Sequence, residues 1–210
     1  MVGSAALAAR ELVERLGGRF SVQMGIDVDR SDREVDRWFL AATLFGTRIA
    51  WPIVERTFAV LRDAGVETVE DAGRRSWQEL VGLLDAGGYV RYDERTATRL
   101  QRLAEVVEER YGRPSALKAV RDPRALEASL DDLPGWGPTT VRLFLRELRG
   151  VWPGADPPLD ERAAQAAAAL GLPVRDVATL RRLASLAELD VRDLEAALVR
   201  ARITQRSAAA

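Results

Sequence analysis

The sequence predicts an all-α fold, and three observations carry that expectation. Apolar residues recur three and four positions apart through most of the chain, the spacing of one helical face. The single alternating stretch, Phe20, Val22, Met24, Ile26 and Val28, has no second strand to pair with and reads as an extended connector. Glycine and proline interrupt the pattern at intervals suited to helices of roughly 8–20 residues. About ten helices, no sheet and no repeat period are expected.

Ser4 is placed to cap a first helix through Leu16, ended by Gly17-Gly18. After the connector, Ser31 or Asp32 caps a helix with Val35, Trp38, Phe39, Ala42 and Phe45 on one side. Gly46 breaks it, and the next helix runs from about Ala50 to Ala64 with Pro52 in its first turn. Ser76 starts a short helix that ends at Gly87-Gly88. A long helix over roughly Asp93 to Arg110 turns Ala97, Leu100, Leu103 and Val107 inward. Arg95, Arg99 and Arg102 occupy another of its faces.

Pro123 opens the turn before Leu126 to Leu130, and a helix follows from Pro138 to Arg149. Its buried stripe is Val141, Phe144, Leu145 and Leu148; its basic stripe is Arg142, Arg146 and Arg149. Gly150 to Pro158 is a loop with three prolines. Asp160 precedes an Ala-rich helix ending at Gly171. Two more helices follow, near Val177 to Leu186 and Val191 to Arg202, before a fraying end at Ser207 to Ala210.

Composition narrows the chemistry. With 47% hydrophobic residues among 210, the chain can bury a core. It contains no Cys, which excludes disulfides, thiolate zinc sites, iron–sulfur clusters and Cys nucleophiles. It contains no His, which excludes His-dependent triads and imidazole metal sites. Proton chemistry falls to Asp, Glu, Tyr, Lys or bound water. Lys118 is the only lysine among 31 basic residues, so an amine nucleophile has one side-chain candidate. The net charge of -1 requires any affinity for nucleic acid to come from locally arranged groups. No apolar run reaches the ~18 residues of a membrane span, and the start lacks the order of a secretory signal; a cytoplasmic address is expected.

The segment Leu133-Pro134-Gly135-Trp136-Gly137-Pro138-Thr139-Thr140 lies between two amphipathic helices. Two glycines one residue apart permit a turn too tight for side chains. Leu133 and Val141 can staple the flanking helices, and the second helix then begins with free N–H groups and the positive end of its dipole exposed. Such an end holds an anion, and a glycine hairpin lets a phosphate approach closely. Thr139 and Thr140 can add hydroxyl donors. Trp136, at the tip, is hard to bury.

This segment resembles the hairpin of the helix-hairpin-helix DNA glycosylases, the superfamily of endonuclease III and 3-methyladenine DNA glycosylase II. Those proteins use the hairpin to grip a DNA phosphate without reading sequence. The resemblance spans about Val35 to Leu172. Gly150 to Leu159 matches the family loop that delivers an aspartate to the next helix, and Asp160, in Leu159-Asp160-Glu161-Arg162-Ala163, matches that aspartate. Trp38 to Ile49 is similar to the helix whose following loop enters DNA, which implies Thr47 and Arg48 as contacts. Gly87-Gly88-Tyr89-Val90-Arg91-Tyr92 resembles the loop that wedges into the gap left by an extruded base, which implies roles for Tyr89, Arg91 and Tyr92.

Three departures accompany the resemblance. Thr139 stands where bifunctional members carry a lysine. No iron–sulfur cluster can form without Cys, and no cofactor is expected. Phe45-Gly46-Thr47-Arg48 replaces the glutamine-bearing loop common in endonuclease III.

Cleaving an N-glycosidic bond develops oxocarbenium character on the sugar, which a nearby carboxylate stabilises. By itself Asp160 reads as a helix N-cap; the resemblance gives it the catalytic role, with Asp156 in reserve. The target base must leave the stack, and Trp51, Trp136, Trp152, Tyr89 and Tyr92 are aromatic partners for it or core residues. Arg142 and Arg146 are phosphate contacts or a solvated face. The expected architecture is a continuous helical subdomain over 31–147 and a second one formed by 1–30 with 148–210. The hairpin and Asp160 are expected to face a cleft between them. The implied function is a monofunctional DNA glycosylase of base excision repair acting as a monomer on double-stranded DNA. The alternative is a DNA-binding protein that keeps the fold without excision.

Overall fold

A computed structural model describes residues 2–45 and 49–208. Among the described residues there are twelve α-helices, one 3-10 turn and no strand beyond an isolated bridge between Arg149 and Trp152. Two compact units divide the chain, one formed by Met1–Gln23 with Pro157–Ala210, the other by Met24–Asp156.

The unit built from both ends of the chain contains α1 (Val2–Leu16), α2 (Phe20–Gln23), α10 (Glu161–Ala169), α11 (Val177–Leu186) and α12 (Val191–Ala208). α12 packs against α10, α1 and α11. Ala163, Ala166 and Ala167 of α10 and Ala196 and Ala197 of α12 are fully buried, and such small residues let two helices approach closely. Arg10 ties α1 to the end of α11, donating to the Ala187 carbonyl at 2.6 Å and pairing with Glu188 at 2.8 Å. The Arg200 guanidinium lies 3.8 Å over the Phe20 ring.

The central unit contains α3 (Asp32–Leu44), α4 (Trp51–Asp63), α5 (Val69–Gly73), α6 (Trp77–Gly87), α7 (Asp93–Tyr111), a 3-10 turn (Pro114–Ala119), α8 (Pro123–Asp131) and α9 (Pro138–Glu147). Gly87 is required where α6 crosses α4, because a Cβ there would meet Thr57 Cα at 2.6 Å. The loop after α9 stays with this unit: Trp152 packs edge-on to Phe144, with ring centroids 5.6 Å apart, and Arg149 pairs with Asp156.

Several elements depart from the expectations. The alternating stretch is not an extended connector throughout. Phe20 and Met24 are buried one helical turn apart while Val22 is 51% exposed, so its first part coils into α2. α1 begins at Val2, with Ser4 inside the helix. α5 and the 3-10 turn were not foreseen, and α12 continues past Arg202 to Ala208. Gly46, expected to break α3, lies outside the described residues. No helix among the described residues is long and apolar enough to cross a membrane.

Candidate nucleic-acid interface

The hairpin assembles from local constraints. At the end of α8, Asp132 N–H donates to the Ala128 carbonyl at 3.1 Å and Leu133 N–H to Leu130 at 3.2 Å. Pro134 has no donor to continue the helix. Gly135 takes φ +79, open to glycine and strained for other residues, and Trp136 N–H closes the turn on the Leu133 carbonyl at 3.0 Å. Gly137 then caps α9 with extended backbone and no side-chain bond, and Pro138 follows in the first turn. Leu133 and Val141, the expected staple, are both buried.

Trp136 corrects the sequence reading. It is 7% exposed rather than presented at the tip. Its ring stacks on Phe39 at 4.4 Å and meets Phe144 edge-on at 5.3 Å, and its indole Nε1–H donates to Thr43 Oγ at 3.1 Å. The Thr43 hydroxyl in turn donates to the Phe39 carbonyl at 2.9 Å. A buried indole that also satisfies its N–H is an anchor. It clips the hairpin to α3 and leaves the backbone of the turn to face outward.

That backbone carries unused donors. Among the described residues, the N–H groups of Gly135, Gly137, Thr139 and Thr140 have no hydrogen-bond acceptor. α9 has neither a capping side chain nor an acid in its first turn. Four free amides and the dipole end therefore share one short stretch of chain. Thr139 is exposed, whereas the Thr140 side chain is buried.

The basic stripe of α9 divides along its length. Arg142 is exposed, but Arg146 and Arg149 are each 3% exposed. α9 runs from the hairpin into the interior, so a face that is wet at its start is covered at its end. Arg146 lies 3.8 Å from Glu147, and Arg149 pairs with Asp156. In this conformation Arg142 alone of the two expected phosphate contacts presents its side chain to solvent.

The loop after α6 is also reordered. Tyr89 is 1% exposed and its hydroxyl donates to the Leu44 carbonyl, so it fixes the loop instead of projecting from it. Val90 projects, 68% exposed beside the exposed Arg91, while Tyr92 is half-buried. Sequence reasoning passed over Val90 because aromatic neighbours flank it; an apolar residue between a left-handed Gly88 cap and a charged Arg91 is the signal that points to it. Thr47 and Arg48 lie outside the described residues. Trp51 stacks on Phe45 with centroids 5.5 Å apart, and Trp152 is core.

Asp160 caps α10. Its carboxylate accepts the Arg162 N–H at 2.8 Å, and its own N–H donates to Glu195 Oε1 at 3.1 Å. It belongs to the terminal unit, the hairpin to the central one. Asp156 is held by Arg149. Lys118 donates to both carboxylate oxygens of Asp32, at 2.9 and 2.6 Å, on the surface of the central unit.

The all-helical fold, with its glycine hairpin between α8 and α9, is shared with a solved DNA glycosylase. A solved structure with this likeness is that of the 3-methyladenine DNA glycosylase of H. pylori, bound to 1,N6-ethenoadenine. The match covers 100% of this chain and 98% of that one, at a TM-score of 0.57 and 11% identity. No family model and no curated protein matches the sequence.

Proposed function

We propose that the chain is a DNA glycosylase that binds duplex DNA through the Leu133–Thr140 hairpin and hydrolyses the N-glycosidic bond of a damaged or mismatched base. One observation carries the reading: the four acceptor-free amides of the hairpin, held outward by the Trp136 anchor, occur in a fold matched over its full length by a glycosylase. Gly135, Gly137, Thr139 and Thr140 grip a phosphate, and Arg142 adds charge. Val90 and Arg91 enter the duplex beside the extruded base. Asp160 supports positive charge on the sugar. The reaction ends at base release, because a lyase step needs a free amine; Thr139 stands at the hairpin position, and Lys118 is bound to Asp32.

A second reading, DNA binding without excision, is favoured by the engagement of the Asp160 carboxylate as a cap. Single-turnover base release separates the two. Duplexes each carrying one lesion are offered, beginning with alkylated and etheno purines and extending to uracil, thymine mismatches and oxidised bases. Release from one class with the abasic strand left intact is expected. Tight binding of every duplex with no release from any would establish the second reading.

A further inference from the structure

α7 carries Arg95, Arg99 and Arg102, and the three differ in their surroundings. Arg102 is exposed and pairs with Glu105 at 2.9 Å, and Arg95 is exposed. Arg99 lies along the hairpin. A Cβ placed on Gly135 would fall 1.8 Å from Arg99 Cδ, 2.7 Å from Cγ and 2.8 Å from Nε. The glycine thus does more than permit the turn, because its missing side chain is the space the arginine stem occupies.

The guanidinium in that space is unsatisfied. Arg99 Nε and Nη2 are shielded from solvent and have no hydrogen-bond partner, while Nη1, likewise unbonded, keeps contact with solvent. No carboxylate pairs with Arg99 among the described residues, whereas the half-buried Arg37 has Glu34 at 2.9 Å and Glu67 at 2.7 Å, and the buried Arg192 has Asp190 at 2.6 Å. Burial pushes the Arg99 guanidinium below its ordinary value; Tyr89 opposes that shift and Arg95 adds to it. A half-buried cation without a counter-charge costs stability. Its stem and Nε lie against Gly135, one of the turn residues with an acceptor-free amide.

We propose that Arg99 is the side-chain half of a phosphate site whose backbone half is the hairpin amides. The inference rests on the nucleic-acid reading of the hairpin and adds to it a full charge supplied from α7. A phosphodiester seated at the turn receives N–H donors from the backbone and meets the solvent-facing edge of the guanidinium. The other two nitrogens stay in a medium of low dielectric, where the charge acts more strongly.

The test compares wild type with Arg99→Met, which keeps a stem over Gly135, Arg99→Lys, which keeps the charge, and Arg102→Met on the same helix. Duplex affinity is measured across a salt series. Arg99→Met should bind more weakly and lower the slope of log affinity against log salt by about one, while Arg99→Lys and Arg102→Met keep the wild-type slope. Thermal unfolding adds an arm free of DNA: inorganic phosphate should raise the wild-type midpoint more than that of Arg99→Met. In phosphate-free, low-salt buffer Arg99→Met should melt at or above the wild-type temperature, since an uncompensated cation is gone.

Equal slopes in wild type and Arg99→Met would overturn the inference and leave hairpin binding standing. An equal phosphate response would overturn it too. Failure of wild type to bind duplex DNA, with an Arg99-dependent phosphate response, would keep the anion site and remove the nucleic-acid reading. An Arg99→Met protein that melts far below wild type, with binding unchanged, would reduce Arg99 to a packing residue.

Discussion

Helices α9 and α10 begin in opposite ways. At α10 the Asp160 carboxylate closes the first turn through the Arg162 N–H, and Glu195 takes the Asp160 N–H. At α9, Gly137 offers no side chain, Pro138 has no N–H, and Thr139 and Thr140 are left with free amides. Most interior helices follow the α10 pattern, with Ser31, Thr68, Ser76, Asp122 and Asp176 as side-chain caps. Among the described α-helices from α3 to α11, those without such a cap are α4, α7 and α9, and at α7 the Asp93 carboxylate takes the Glu94 N–H at 2.8 Å. α4 and α9 also lack an acid in the first turn, whereas α7 begins with Asp93 and Glu94. A helix start satisfied from within serves stability, whereas one left open has donors to offer an anion from outside.

The largest effect separating these two starts is expected at Asp160. Asp160→Asn preserves an N-cap, since Asn caps as well as Asp, but removes the charge. If the carboxylate supports the oxocarbenium ion, single-turnover base release should fall by about 10²–10³-fold with duplex affinity unchanged. Full activity would return Asp160 to the role of a cap. Asp156→Asn is the companion control. Its carboxylate is bound to Arg149, so its loss should act on the loop after α9 and not on base release.

The open start is sharpened by two changes with opposite signatures. A Cβ at Gly137 meets nothing within 4 Å, and its φ of -157 suits any residue. Gly137→Val should therefore fold and melt like wild type while losing about tenfold or more in duplex affinity, because a branched side chain keeps a phosphate from the amides. Trp136→Phe should do the reverse. It keeps the ring stacked near Phe39 but drops the bond to Thr43, costing about 1 kcal/mol of stability with a smaller effect on binding. Circular dichroism melts beside a fluorescence binding titration read both. Gly137→Val bound as tightly as wild type would remove the hairpin amides from the interface.

The same contrast shows what the sequence disclosed. The hairpin was legible because Leu133-Pro134-Gly135-Trp136-Gly137-Pro138 punctuates two periodic segments with residues whose backbone limits are local. The fate of Trp136 was not, because it is decided by Thr43 and Phe39 on α3, with Thr43 93 residues away in the chain. Tyr89 escaped for the same reason, its partner being the Leu44 carbonyl. α5 is too short for periodicity to register, although Thr68 and Asp71 form the capping box that marks its start. Arg99 looked like one member of a basic stripe; only the fold lays it across Gly135.

The smallest effect is expected at an ordinary closed start. Asp176 caps α11, with its carboxylate accepting the Thr179 N–H at 2.8 Å while Thr179 Oγ accepts the Asp176 N–H at 3.0 Å. The Thr179 backbone bond, followed by the Thr179 hydroxyl, holds the Asp176 carboxyl below its ordinary value. A depressed folded-state value means that the carboxylate's contribution is present above the ordinary carboxylate range and is lost as pH falls through the depressed value. Asp176→Ala should lower the melting temperature slightly at neutral pH, and the gap from wild type should close on acidification through that range. Because α11 belongs to the terminal unit and the hairpin to the central one, duplex affinity should not change. A gap that stayed constant down to strongly acid pH would show that the cap acts through its geometry and not its charge. A loss of affinity would show that the closed start of α11 matters to the interface.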